Sequence, residues 1–192
     1  MQPQPWPDKR YKVIYADPPW SVSFLKETKE TGVHDVPLPY PQMSDDELAC
    51  MPVASLAQDD AMLFLWIVDT KLRFALELME HWGFTYVTIA FVWHKKARTT
   101  SGENATMGRY THKSCELCML GRHGKCFIVD ATQPQFVNEL KREHSCKPDL
   151  VRTRIETMCG DVPRIELFAR QKFDGWDTWG NEKIPTLQRR LL

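Results

Sequence analysis

The sequence predicts an α/β fold whose central sheet is mostly parallel. Stretches with helical spacing alternate with short apolar runs of strand length, which lie at residues 13–16, 62–68, 86–93, 116–120 and 164–168. The run at 62–68, MLFLWIV, has no polar face, as is typical of a strand buried on both sides of a parallel sheet. The length of 192 residues suits one domain over 1–192, with an irregular lead-in over 1–10 and a tail over 183–192.

Three helices are predicted between the strands. The tetrapeptide SDDE at 44–47 is a capping box that opens a short helix. Apolar residues recur at helical spacing over 72–79, where Asp69 can cap the helix and Gly83 can end it. Pro148 suits the first turn of a third helix. Long loops are predicted for the segments that show neither helical spacing nor an apolar run of strand length. These segments are 17–43, 94–114 and 130–147.

The charge of the chain is balanced overall but uneven along its length. Lysine plus arginine and aspartate plus glutamate both number 25. Between residues 94 and 125, seven cationic and two anionic side chains give a local charge of +5, which suits a phosphate backbone. The start, MQPQPWPDKRY, has no apolar segment, and no run reaches the roughly 18 apolar residues of a membrane span. We therefore expect a cytoplasmic protein with reduced cysteines.

A pair of cysteines with CxxC spacing raises the question of a metal. Cys115 and Cys118 form this pair, and Cys126 follows nearby. With His112 or His123 they can make up the four ligands of a zinc site, and a small zinc-organised nucleic-acid binder is therefore one alternative. The segment CELCML alternates like a strand, however, which places the two paired cysteines on opposite faces. We favour small apolar side chains in a strand and predict no metal.

The tetrapeptide DPPW at 17–20 follows the first strand at the edge where parallel sheets bind ligands. Aspartate and proline often simply end a strand, but this explains the second proline and the tryptophan less well. Consecutive prolines remove two donors and fix the direction of the Asp17 and Pro18 carbonyls, and Trp20 adds a flat ring. The arrangement suits a planar heterocycle with an NH2 group. Acceptors that pull its hydrogens out of plane favour the tetrahedral transition state for attack on a strong electrophile, such as a sulfonium methyl group.

DPPW resembles motif IV of the amino-methyltransferases, and the likeness continues along the chain. The further matching segments are PYPQMSDDEL, AMLFLWIV, FVWHKK, HSCKPDL, RIELFAR and WDTWGNE. From about residue 12 to 182 the chain thus resembles the adenine-N6 methyltransferases named after the methyltransferase-A 70-kDa subunit of mRNA methylation. The resemblance implies a Rossmann-like, S-adenosylmethionine-dependent fold with helices on both faces of the sheet. It also implies a permuted motif order, in which the catalytic loop precedes the cofactor-binding residues.

Two departures from the family pattern accompany the resemblance. Ala169 stands where the family has glycine in its Ile-Glu-Leu-Phe-Gly-Arg strand. The DPPW motif also lies close to the first residue of the sequence. Larger family members have an upstream strand and an accessory domain that help to hold the cofactor and recognise the target. We expect this chain to do without them or to find them in another subunit.

The resemblance implies roles for individual residues. The catalytic loop would be Asp17, Pro18, Pro19 and Trp20. The cofactor S-adenosyl-L-methionine would be bound by Asp17, Lys147, Glu166, Phe168, Arg170, Asn181 and Glu182. Lys147 would meet the methionine carboxylate at a helix N-terminus, and Glu166 would meet the ribose hydroxyls. The alternatives are an ordinary solvated lysine and an acid on an exposed strand face.

The implied substrate is an adenine in nucleic acid. DNA is favoured because compact bacterial and phage family members mostly modify DNA, and the base would be flipped out or single-stranded to reach Asp17. Substrate contacts are predicted for Tyr40, Trp93, Lys95, Lys96, Arg98, Arg109 and Lys113. The alternatives are an RNA adenine-N6 methyltransferase and a non-catalytic nucleic-acid-binding subunit of a methyltransferase complex. A homodimer would supply a second nucleic-acid surface.

Overall fold

The computed structural model describes residues 4–22, 25–28, 32–35, 41–96, 106–107, 110–140 and 146–180. The strands are β1 (Tyr11–Ala16), β2 (Leu25–Thr28), β3 (Gly32–Asp35), β4 (Ala57–Ile67), β5 (Thr85–Lys96), β6 (Thr106–Met107), β7 (His112–Lys113), β8 (Cys115–His123), β9 (Phe136–Leu140), β10 (Arg164–Leu167) and β11 (Asp177–Trp179). The α-helices are α1 (Asp45–Ala49), α2 (Leu72–His81) and α3 (Asp149–Cys159).

Seven of these strands form one sheet in the order β11-β10-β1-β4-β8-β5-β9. Strand β8 runs antiparallel to its neighbours β4 and β5, and the other four pairings are parallel. The predicted mostly parallel sheet is therefore confirmed. Because β8 is reversed, its first residues lie at the edge where β1, β4, β5 and β10 end.

Helices cover both faces of the sheet, as the family resemblance implied. Residues Ala75, Leu78 and Met79 of α2 pack in one apolar cluster with alternate side chains of β1 and β4. On the opposite face, α3 contributes Val151 and Ile155 to a second cluster. The strand β4 supplies fully buried side chains to both clusters, which explains why its sequence has no polar face.

The capping box predicted at 44–47 is present. The Ser44 Oγ accepts a hydrogen bond from the Glu47 N–H, and the Ser44 N–H donates to Glu47 Oε2 at 2.7 Å. The predicted cap at Asp69 is wrong for α2. A 3-10 turn, Asp69–Lys71, precedes this helix, so Asp69 accepts from the Thr70 N–H and Lys71 takes the N-cap position without a side-chain bond.

Five short strands, β2, β3, β6, β7 and β9, lie in segments that the sequence predicted as loops. The hairpin β2–β3 falls in 17–43, and the two-residue strands β6 and β7 pair within 94–114. The strand β9 pairs with β5 at the edge of the sheet, and only its Val137 is buried. The strand β11 is three residues long.

No helix in the described part of the chain is long and apolar enough to cross a membrane.

Candidate functional site

Four charged side chains form a row at the sheet edge where β1 ends. Asp17 directly follows β1, and its Oδ2 accepts a hydrogen bond from Lys147 Nζ at 2.6 Å. The same Nζ lies 3.3 Å from Glu116 Oε2, near the start of β8. The other oxygen of Glu116 is bound by Lys95 Nζ from β5. Two anions and two cations from distant parts of the sequence thus form one charge row, Asp17–Lys147–Glu116–Lys95.

Lys147 is the centre of the charge row. Its side chain is 10% exposed, it stands just before α3, and its Nζ lies 5.4 Å from the centroid of the Trp66 ring. Burial disfavours the ammonium ion, but the carboxylates of Asp17 and Glu116 outweigh burial and raise the pKa of Lys147 above its usual value. Lys147 therefore stays charged although its side chain is buried. Because of this burial, the interpretation of Lys147 as an ordinary solvated lysine is wrong.

The two carboxyl groups of the charge row have opposite pKa shifts. Desolvation raises the pKa of Asp17, and the charge of Glu116 adds to this rise, while Lys147 opposes it. Desolvation acts in the same sense on Glu116, but the two lysines Lys147 and Lys95 lower its pKa overall. Glu116 Oε2 is buried and makes no hydrogen bond within the described residues, since Lys147 lies near it without the required geometry.

Hydrogen bonds fix the backbone of the DPPW loop. The Pro18 carbonyl accepts from the Trp20 N–H at 2.8 Å, and the Pro19 carbonyl accepts from the Met43 N–H at 2.9 Å. Trp20 and Met43 also form an isolated parallel bridge. The segment that contains β2 and β3 thus begins after Trp20 and ends before Met43, and these two residues lie side by side. Both ends of the segment are therefore held close to Asp17.

Trp20 does not provide the open stacking face that the sequence suggested. Its side chain is only 5% exposed, its Nε1 donates to the Trp66 carbonyl at 3.1 Å, and its ring meets the edge of Phe74. The apolar cluster of α2 accommodates the indole better than solvent does. Trp20 therefore anchors the loop, while Asp17 remains at the surface with 28% of its side chain exposed.

Glu166 is buried in an ion pair that the sequence did not predict. Both of its carboxylate oxygens accept hydrogen bonds at 2.7 Å from the Arg152 guanidinium, and its side chain is 8% exposed. The guanidinium carbon lies 3.9 Å from the centroid of the Phe173 ring. The exposed-face alternative is wrong, because Glu166 is buried and Arg152 binds both of its oxygens. The contact of Glu166 with ribose hydroxyls stays a prediction. Desolvation raises the pKa of Glu166, and Arg152 acts against this rise.

The segment after β10 adopts a constrained backbone. Phe168 has φ of 60°, a left-handed conformation that is uncommon outside glycine, and its ring meets Trp179 edge to face. The Ala169 N–H donates to the Trp179 carbonyl at 3.1 Å, and the alanine is buried. A Cβ on Gly180 would lie 2.5 Å from the Ala169 carbonyl oxygen, so this approach requires glycine. Arg170 lies close enough to lower the pKa of Asp17.

The residues predicted to contact substrate separate into different places. Trp93 belongs to the core, since it is 2% exposed and its Nε1 donates to the Glu139 carbonyl. Lys95 is part of the charge row rather than an exposed phosphate contact. Lys113 pairs with Asp69 at 2.5 Å, and Lys96 is exposed. The predictions for Tyr40, Arg98, Arg109, Asn181 and Glu182 lie outside the described residues.

The direction of β8 divides the basic segment 94–125. Lys113 lies at the end of the sheet that carries Asp17. Arg122 instead pairs with Thr85 at the start of β5, and the backbone N–H of Lys125 donates to Asp60 Oδ1 at that same opposite end. The cations of this segment that the structure describes are thus divided between the two ends of the strands. On β8 itself, Cys115 is exposed and Cys118 buried, so the predicted opposite faces are confirmed. Among the described residues, no three potential metal ligands come together.

Sequence reasoning missed two residues that the structure places in this region. Glu116 was counted only as a negative charge in a basic segment, although an acid inside the apolar strand CELCML was a signal. Arg152 gave no signal, because its partner Glu166 is 14 residues away and on another element.

Comparison with known proteins identifies the family. Residues 11–182 match the model of the MT-A70 family. The chain belongs to the MT-A70 family. Among its relatives, Type II methyltransferase M.MunI of Mycoplasma sp is 35% identical over 94% of this chain and 83% of its own length.

Other relatives are much longer than this chain. The N(6)-adenosine-methyltransferase catalytic subunit METTL3 of Homo sapiens is 28% identical over 90% of this chain but only 28% of its own length. A probable N(6)-adenosine-methyltransferase MT-A70-like protein of Oryza sativa is also 28% identical, over 90% of this chain and 23% of its own length. The chain thus spans about a quarter of these relatives, and most of M.MunI. The methyltransferase family inferred from the motifs is confirmed.

Proposed function

We propose that this MT-A70 protein is an S-adenosylmethionine-dependent adenine-N6 methyltransferase that acts on DNA, with its methyltransferase domain over 1–192. The observation that carries the proposal is the Asp17 carboxyl group, held by Lys147 at 2.6 Å beside the anchored proline pair at the carboxyl edge of the sheet. DNA is favoured because the chain matches most of M.MunI, a type II methyltransferase, but only a fraction of METTL3.

The charge row fits the amino-acid end of S-adenosylmethionine. Lys147 carries a positive charge that can pair with a carboxylate, while Asp17 and the unsatisfied Glu116 Oε2 can accept from an ammonium group. The phosphate-type glycine loop of nicotinamide enzymes is absent from the sequence, and the charged groups perform the binding instead. When bound, the cofactor supplies an electrophilic methyl group on a sulfonium.

The loop residues would act on the amino group of the adenine. The Asp17 carboxylate accepts one amino hydrogen, and the Pro18 carbonyl retains a lone pair beside the one that receives the Trp20 N–H. These acceptors favour a pyramidal nitrogen, whose lone pair is free to attack. As the nitrogen forms its new bond, its remaining hydrogens become acidic. The raised pKa of Asp17 suits it to receive a proton at that stage.

Methyl transfer to a panel of nucleic acids tests the proposed function. Purified protein is incubated with methyl-labelled S-adenosylmethionine and with single- or double-stranded DNA or RNA, and the nucleosides are identified by mass spectrometry. N6-methyladenine in DNA is the expected product. A product found only in RNA would replace DNA by RNA as substrate. No transfer, with the cofactor still bound, would favour the non-catalytic subunit.

The homodimer stays a prediction that sedimentation of the same protein checks.

Replacing Lys147 by methionine is expected to weaken cofactor binding about 10- to 100-fold, as the loss of a charged hydrogen bond does. The variant also leaves Asp17 and Glu116 as two neighbouring anions, which would repel the cofactor's carboxylate. The dissociation constant is measured by calorimetry with cofactor alone. The matched control is Lys9→Met, which breaks a 2.7 Å pair with Asp177 and should leave the constant unchanged. Unaltered binding by Lys147→Met would contradict the assigned role.

Replacing Glu116 by glutamine is expected to move the acid limb of the pH–rate profile to lower pH. Glu116 raises the pKa of Asp17, and the neutral variant removes this contribution while Lys95 loses its anionic partner. Both changes favour ionised Asp17, which becomes available at lower pH. The profile of kcat/KM reports the shift, and Asp69→Asn, which breaks the pair with Lys113, serves as control. A shift to higher pH would contradict the coupling.

A further inference from the structure

The sheet has an exposed face beside β5 and β9 that the charge row does not use. Side chains alternate along these strands, so Trp93, Lys95 and Val137 face α3, and their neighbours face the opposite way. We call this second set the open sheet face. It consists of His94, Lys96, Phe136, Asn138 and Leu140.

The open sheet face combines aromatic, cationic and amide groups. Phe136 is 55% exposed and Leu140 is 51% exposed. The rings of His94 and Phe136 are nearly parallel, with an interplanar angle of 17° and centroids 6.2 Å apart. His94 Nδ1 lies 3.3 Å from Asn138 Oδ1, a contact that holds the imidazole ring in this orientation. Lys96 is exposed beyond them at the end of β5.

We propose that the open sheet face is a stacking platform for single-stranded nucleic acid, which binds bases next to the target adenine. Exposed aromatic rings on a sheet are favourable partners for unpaired bases, and a cation beside them attracts the phosphate backbone. None of the five side chains is acidic, so the face is complementary in charge to a phosphate chain. The proposal rests on the proposed function for the identity of the target base.

The position of the platform suits bases that flank the target. In the sheet order, β9 is separated from β1 by β4, β8 and β5. At about 4.8 Å per strand the platform is about 19 Å from the end of β1, which is a few nucleotides away. Strand β5 contributes to both places, since Lys95 belongs to the charge row and the adjacent residues His94 and Lys96 belong to the platform on the opposite face of the sheet.

Binding of single-stranded DNA tests the platform without requiring turnover. Fluorescence anisotropy with a mixed-sequence oligonucleotide of about 12 nucleotides is compared among variants of Phe136. Phe136→Ala and Phe136→Leu are both expected to raise the dissociation constant about fivefold or more, because leucine keeps the apolar bulk but has no π face. Phe136→Tyr should bind as the original protein does. The control Val129→Ala alters another exposed apolar residue, which is 70% exposed, and should have no effect.

Photo-crosslinking supplies a readout that a merely structural role of Phe136 would not change. An iodouracil-containing oligonucleotide is irradiated with the protein, and the crosslinked peptide is mapped by mass spectrometry. A crosslink to His94 or Phe136 is the expected result. Crosslinks confined to other segments, or equal binding by Phe136→Leu and the original protein, would overturn the proposal. A dimer that dissociates in Phe136→Ala would also overturn it, because a second copy would then occupy the face.

The failure of the platform is distinguishable from the failure of the proposed function. If the original protein methylates adenine and Phe136→Leu binds and methylates equally well, the platform is refuted and the proposed function is retained. If the original protein methylates nothing, but Phe136→Leu binds the oligonucleotide more weakly than the original protein does, the platform is retained. In that case the chain binds nucleic acid without the proposed chemistry.

Discussion

Replacing Asp17 by asparagine is expected to lower the rate of methyl transfer about 10²- to 10³-fold, the usual effect of removing one preorganised electrostatic group. Asparagine keeps the size of the side chain, but it loses the negative charge and presents an NH2 group that can donate only. It also removes the charged partner that Lys147 holds at 2.6 Å. The rate is measured in a single turnover with cofactor and DNA both saturating, so that weaker binding does not contribute.

The control for this variant is Asp177→Asn. Asp177 also accepts from a lysine at 2.7 Å, but it begins β11, at the opposite end of the strands from Asp17. Its variant should turn over at the original rate. A rate for Asp17→Asn within tenfold of the original would contradict the role of the carboxylate, and a loss in both variants would indicate unfolding, which circular dichroism reveals.

The sequence predicted the strands that are buried on both faces, because burial restricts nearly all of their residues to apolar types. β4 contributes to both apolar clusters, so every residue from Ala61 to Ile67 is buried and the run is unmistakable. β9 is an edge strand with one buried residue. Its exposed residues Phe136 and Leu140 are apolar, so the sequence does not show the alternation of apolar and polar residues that indicates a strand. The hairpin β2–β3 lies among prolines in the sequence, which favoured a loop. Local patterns therefore predict central strands, and edge strands depend on contacts with distant residues.

The sequence predicted the parts of the candidate site that depend on local motifs. Asp17 and Lys147 follow from DPPW and from the lysine before Pro148, and the structure brings them together across 130 residues of sequence. Glu116 could not be placed, because its position depends on β8 running antiparallel to its neighbours. Trp20 and Glu166 were assigned from the motifs DPPW and RIELFAR, which do not show what surrounds these side chains in the fold. Burial directs the first to a backbone carbonyl and the second to an arginine.

Replacing Arg152 by methionine is expected to lower the free energy of unfolding by about 3–5 kcal/mol at neutral pH, because it removes the partner of a buried charge. Glu166 is 8% exposed and receives two hydrogen bonds of 2.7 Å from the guanidinium. Methionine fills much of the space beside Phe173 but offers no cation. Urea unfolding followed by circular dichroism measures the change. The control Arg73→Met, at a 95% exposed helix position, should stay within about 0.5 kcal/mol of the original protein.

The pH dependence of this loss identifies Glu166 as its source. The pKa of Glu166 is already raised in the folded protein, and Arg152 is the main group that lowers it. Without Arg152 the folded pKa rises further above the unfolded value, so the unfolded state releases its proton first as pH increases. The destabilisation should therefore be small in acid, where Glu166 is protonated in both folded proteins. It should grow as pH rises through the folded pKa of Glu166 in the original protein, which lies above the ordinary value of a glutamate. The double variant Arg152→Met with Glu166→Leu should recover much of the stability, since no buried charge remains. A pH-independent loss, unchanged in the double variant, would instead attribute the effect to the packing of Arg152 against Tyr15 and Phe173.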